Sequence, residues 1–171
     1  MEHKSNHFHM KPTFWQSLLV TLAVVAVLSA LAQVMALGVL GAVGASSISA
    51  SAVIAFALPN AQVGRARTMV LSYILALLIG AGCYAAMHFM MGYVQISLNH
   101  ASELWGAVAV GATMMLMVRL NLLHPPAAGL ALGLVLDEWH LPTVLVILAS
   151  IIVIAIIKRL LRPSLRNLEW L

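Results

Sequence analysis

The sequence predicts an all-α, polytopic transmembrane helical bundle with five or six helical segments, two of them interrupted or re-entrant, and three observations carry that prediction. Apolar residues make up 63% of the 171, charged residues 8%, and the mean hydropathy is +1.02, outside the range of soluble globular domains. No formal charge occurs between Lys11 and Arg65, a stretch too long for one helix. His124-Pro125-Pro126 then sets an imidazole and two residues without a backbone N–H into an apolar run, where a helix has to stop and restart. At about 20 residues per spanning helix the ceiling is about six crossings. The expected organisation is a single transmembrane domain over residues 14–158, with halves at 14–91 and 92–158, between an N-terminal tail (1–13) and a basic tail (159–171).

Element by element, the uncharged stretch divides at Gln33 into runs 15–34 and 36–58. Lys4 and Lys11 before the first run imitate a secretory signal, but apolar sequence continues directly past Ala30-Leu31-Ala32, as in a retained first helix. The second run carries Gly38, Gly41 and Gly44, then Ser46, Ser47, Ser49 and Ser51, and closes on Pro59-Asn60. Glycines at that spacing admit a close neighbour, and serine hydroxyls supply polar partners where lipid has none. A third run covers 68–91, the polar interval 92–103 with Asn99 and His100 reads as a loop, and a fourth run covers 104–123. Next comes 125–136, whose 12 residues give about 18 Å of helix against about 30 Å of hydrocarbon, so it is a half-helix reached by extended chain or a re-entrant piece. A polar corner at 137–140 leads to the last run, 141–157.

An N-terminus on the cytoplasmic side puts all nine Lys and Arg on or near that side and Glu103, Asp137 and Glu138 outside, as the positive-inside rule requires. The expectation is an integral protein of a bacterial inner membrane with both termini cytoplasmic. The middle segment of each three-segment half is the irregular one, which suggests an inverted three-plus-three repeat with discontinuous helices. Gly129 and Gly133, four apart, suggest association into a homodimer or larger oligomer.

The candidate site gathers at the two irregular segments. His124 can donate and accept, and its charge changes near neutral pH, so it can orient an anion or couple it to a proton. Its alternative is a structural histidine that caps broken backbone. Arg119 supplies positive charge or snorkels to the headgroups; Asn121 lines the cavity or satisfies freed carbonyls. With the helix start at Pro125 and Pro126 and with Gly44, Ser46, Ser47 and Ser49, these residues form a substrate site for a small monovalent anion. No predicted span contains a carboxylate, which argues against a cation pathway.

Other classes fit less well. His3, His7, His9, Met1 and Met10, with Met87-His88, Met90 and Met91, have the ligand types for copper or nickel, and this metal-handling reading is the alternative, together with a structural subunit that transports nothing. The single Cys83 excludes an intramolecular disulfide, and no spacing suggests a zinc site or any resident cofactor. No phosphate-cradling loop or paired carboxylates appear, and a hydrolytic dyad would need Ser46 to meet His124, so no enzyme is expected. The charge of +4 serves topology, and no nucleic acid partner is expected.

Over roughly residues 34–136 the chain resembles the HPP family of small integral membrane proteins. The tripeptide His124-Pro125-Pro126 carries the likeness together with Gly44-Ala45-Ser46, Phe56-Ala57-Leu58-Pro59 ahead of Ala61-Gln62, and Arg67 opening the next run. The resemblance implies a compact domain of four spanning helices and transport activity, with a link to nitrite for some members. Departures fall at Ala66-Arg67-Thr68, where Pro-Arg-Asn is expected, at Leu71-Ser72-Tyr73, where Gly-Gly-His often follows, and at Ala127-Ala128-Gly129 in place of Ala-Gly-Ala.

Overall fold

The structure is a computed structural model that describes residues 12–36, 42–93, 98–137 and 140–161. These form six α-helices: α1 (Pro12–Ala36), α2 (Ala42–Ala57), α3 (Ala66–Met91), α4 (Leu98–Arg119), α5 (Pro125–Leu136) and α6 (Leu141–Leu161). A single 3-10 turn, Gln62–Gly64, lies between α2 and α3. Ala66–Met91, His100–Arg119 and Leu141–Leu161 are long and apolar enough to cross a membrane, while α2 and α5 are short. Large apolar side chains such as Leu78, Leu104, Leu145 and Val153 face outward, as they do where the surrounding medium is lipid. The described residues hold six helices, where the family resemblance implies four spanning ones.

The 12-residue α5 is the centre of the bundle, packed on α2, α3 and α4. α2 also meets α1 and α6, α3 meets α4 and α6, and every one of these pairings except one maps onto another, or onto itself, when α1-α2-α3 is exchanged for α4-α5-α6. The exception is α3 with α4, which pack closely although α1 and α6 do not. The contact pattern is the one expected of an inverted repeat whose two short helices, α2 and α5, face each other.

Small residues make that central contact. A Cβ on Gly133 would sit 3.2 Å from the Val43 side chain, and one on Gly129 would sit 2.9 Å from Ser47 Oγ. The stripe expected to join copies of the chain therefore packs on α2 of its own chain. Gly80 of α3 approaches α5 as closely: a Cβ there would lie 2.9 Å from Leu134 Cδ1 and 3.1 Å from the Ala131 carbonyl.

Two sequence expectations need correction, and a third is only partly covered: α2 is continuous from Ala42 through all four serines to Ala57, while residues 37–41 of the second run, with Gly38 and Gly41, lie outside the described residues. The interval 92–103 is not all loop, since α4 starts at Leu98: a polar turn at a membrane boundary is still a helix when no breaker follows Gly92. Finally, α4 stops at Arg119 rather than Leu123, and the prolines are not the cause. Asn121 takes φ 55°, Leu122 N–H bonds Met117 O at 2.8 Å and Asn121 N–H bonds Val118 O at 3.2 Å. This is a Schellman cap with asparagine at the left-handed position.

Candidate functional site

Residues 120–124 leave α4 and turn back into the bundle, and their backbone is caught by two helices. Gln62 Nε2 donates to Asn121 O at 2.9 Å and to Asn121 Oδ1 at 2.6 Å, while Ser72 Oγ faces both Thr68 O at 2.7 Å and Leu122 O at 2.5 Å. The chain then reaches His124, the residue before α5, in extended geometry (φ −146°, ψ 86°). Pro125 and Pro126 occupy the first helical positions, where their missing N–H groups leave nothing unpaired, and Ala127 N–H bonds His124 O at 3.0 Å. The helix start keeps its dipole but has few free amides to offer a ligand.

His124 is fully buried, and its side chain makes no cap. It reaches across instead: Nδ1 lies 2.7 Å from Val63 O and Nε2 lies 2.8 Å from Ser51 Oγ. Ser51 Oγ is also 3.0 Å from Ser47 O and 2.8 Å from Tyr73 Oη, and both Ser51 and Tyr73 are fully buried. Ser51 stands six residues before the end of α2 at Ala57, and Tyr73 seven after the start of α3, so the cluster lies about 10 Å inside that end of the bundle. α5 supplies about 18 Å more from its 12 residues, which accounts for most of a core about 30 Å thick.

The proton inventory of this cluster is constrained. A carbonyl only accepts, so Nδ1 carries hydrogen and points it at Val63 O. With a neutral imidazole, Ser51 donates to Nε2 and accepts from Tyr73. With an imidazolium, Nε2–H donates to Ser51, whose own proton turns to Ser47 O. Rotation of one hydroxyl lets the ring gain or lose a proton without an orphaned donor.

The loop that receives His124 is held from the other side by Lys158 near the end of α6. Its buried Nζ donates to Pro59 O at 2.8 Å and to Gly64 O, the carbonyl next to the one His124 uses. These contacts place the α2–α3 loop, the α4–α5 break and the end of α6 at one end of the bundle. Arg65, Arg67, Arg119, Lys158 and Arg159 belong to that end; Glu103 and Asp137, at the start of α4 and the end of α5, belong to the other.

The expected site residues separate into two groups. His124, with Pro125 and Pro126 fixing its place, forms the buried centre, and Gly44 and Ser47 lie buried on the α2 face towards α5. Ser46 is exposed and bonds Val43 O at 2.9 Å, and Ser49 bonds Ala45 O at 2.8 Å, so their hydroxyls turn back to their own helix. Arg119 and Asn121 are exposed, and Asn121 is spent on the loop contact with Gln62. Sequence reasoning named Ser51 without choosing it and missed Tyr73 and Lys158. The serine that meets His124 is Ser51, not Ser46. Thr113 of α4 is another buried polar residue, and its Oγ1 has no partner among the described residues.

For the metal alternative, the N-terminal histidines and methionines lie outside the described residues. Among the described residues no group of three His, Cys, Asp or Glu could hold a metal ion. His88 stacks edge-on against Tyr84, with ring centroids 4.3 Å apart.

A family model described as the HPP transmembrane region matches residues 5–164. Comparison with curated proteins and with solved structures gave no match.

Proposed function

The chain belongs to the HPP transmembrane family, and we propose that it moves a small monovalent anion across the bilayer, with nitrite the first candidate and nitrate and formate next. One observation carries the reading: a fully buried imidazole, bonded on both nitrogens, sits at a break between helices about 10 Å below a cationic end that has no carboxylate among the described residues. The five basic residues at that end raise the local anion concentration. His124 and Ser51 then offer hydrogen-bond donors to the anion, and the Ser51 hydroxyl accommodates a proton arriving on the ring.

The cluster is enclosed, so passage requires α5 or residues 120–124 to move against α2 and α3. The exchange-related contacts of α2 and α5 suit rocking of one half against the other. Such a protein is a transporter and no enzyme. It sits in a bacterial inner membrane with the cationic end cytoplasmic, by the positive-inside rule. If copies associate, they use faces other than the Gly129–Gly133 stripe.

Metal handling keeps one observation in its favour, a cleft of about 300 Å³ lined by Met87, Met90, Met91 and His100 at the opposite end. Uptake by vesicles holding the purified protein separates the two readings. Nitrite uptake that persists when residues 1–10 are deleted and falls to background in His124→Ala supports the anion reading. Copper uptake that needs residues 1–10, with nitrite inert, overturns it.

A further inference from the structure

At the cationic end, between the start of α3 and the end of α6, lies a groove of about 860 Å³. Its rim is polar, with Asn60, Arg65 and Arg159; its lower wall is apolar, with Val70, Ile152 and Ile156. Arg65 and Arg159 are exposed, and neither makes an ion pair or hydrogen bond through its side chain among the described residues. Lys158 adds a third charge in the groove wall, held at depth by the Pro59 and Gly64 carbonyls. Of the described acidic residues, Glu103 and Asp137, both stand at the opposite end.

We infer that this groove is a binding site for one anionic phospholipid, its phosphate held by Arg65 and Arg159 and its acyl chains laid on Val70, Ile152 and Ile156. The charge order along the helices matches the order of the lipid. Val70 lies five residues into the bundle from Arg65 and Ile152 seven from Arg159, so about 7 to 10 Å separates the cations from the apolar wall. That is the spacing between a headgroup phosphate and the first part of its chains, and three positive charges with no local carboxylate among the described residues select an anionic headgroup. Guanidinium groups bind phosphate oxygens in pairs, which adds geometric preference to charge. Unlike the proposed transport site, the groove opens sideways to lipid, and its occupancy does not depend on what the protein transports.

The test measures lipid retained by the purified full chain after exchange into nanodiscs that contain equal phosphatidylglycerol and phosphatidylcholine. Phosphatidylglycerol is expected in excess, with retention falling about fivefold for each of Arg65→Gln and Arg159→Gln, while Arg67→Gln, at the same end but outside the groove, retains it. Ile156→Trp, a change at an exposed position that fills the apolar wall, also expels the lipid and leaves the arginines intact. Equal retention of the two lipids, or a loss in Arg67→Gln as large as in Arg65→Gln, overturns the assignment. Displacement by millimolar inorganic phosphate overturns it too, because the groove then takes a soluble anion and the chains contribute nothing.

Discussion

His124 Nε2 lies 2.8 Å from Ser51 Oγ, joining the residue that opens α5 to the middle of α2, 73 positions earlier in the chain. The bond links the two short helices that face each other across the centre of the bundle. It also fixes what loss of either partner does. His124→Ala opens a cavity, removes one of the three partners of Ser51 Oγ and takes the imidazole N–H from the Val63 carbonyl, and is expected to cost about 2–4 kcal/mol. Ser51→Ala is expected to cost about 2 kcal/mol, because two buried groups lose a partner, and Tyr73→Phe about 1 kcal/mol. Thermal unfolding in detergent checks the order, and a Ser51→Ala/Tyr73→Phe double variant less destabilised than the sum of the singles establishes the coupling.

Gly80 and Gly82 test the central packing from neighbouring positions on α3. A Cβ at Gly80 meets α5, whereas one at Gly82 has nothing within 4 Å. Gly80→Ala is expected to destabilise by about 1–3 kcal/mol, since the Ala131 carbonyl is backbone and cannot move aside alone. Gly82→Ala is expected to be neutral or to stabilise by up to about 1 kcal/mol through helix propensity. Equal melting shifts for both would show that α3 and α5 are not this close.

Asn121 ends α4 by taking a left-handed conformation, so substitutions there separate backbone demand from side-chain contact. Asn121→Gly keeps the cap and loses only the bond from Gln62 to Oδ1. Asn121→Leu loses both and carries about 1–2 kcal/mol of backbone strain. Glycine is expected to be the milder change in unfolding measurements.

Thr113 Oγ1, buried and unpartnered among the described residues, gives a prediction of opposite sign. Thr113→Val preserves the shape and removes a desolvated hydroxyl, so it is expected to leave stability unchanged or raise it by about 1 kcal/mol. A loss of more than that, seen as a lowered melting temperature, would mean the hydroxyl has a partner.

How far the sequence revealed this arrangement depends on the kind of interaction. Apolar runs divided at charges, at Gln33 and at the His-Pro-Pro break located all six helices, because burial in lipid requires those runs. The short length of α5 and the His-Pro-Pro break showed that this segment could not be an ordinary span. Which serine meets His124 was also accessible in principle: Gly44, Ser47, Ser51 and Ala55 recur at helical spacing and form the buried face of α2, while Ser46 and Ser49 fall off it. Choosing serines by nearness in sequence hid that periodicity. Tyr73 stands where the family pattern often has a histidine, and the structure shows a hydroxyl reaching the same cluster. The role of Lys158 was not legible. Its position after a long apolar run matches that of a snorkelling topology residue, and only the folded α2–α3 loop brings the Pro59 and Gly64 carbonyls to its ammonium group. The end of α4 was misplaced for a similar reason, since an asparagine four residues before two prolines draws less notice than the prolines.

The most direct test of the central claim follows nitrite and protons together in vesicles containing wild type, His124→Ala or His124→Gln protein, with each variant's fold checked by thermal unfolding. Wild type is expected to show nitrite entry accompanied by a change in internal pH, and a folded variant without the imidazole background flux of both. Undiminished nitrite flux through a folded His124→Ala protein would contradict that claim.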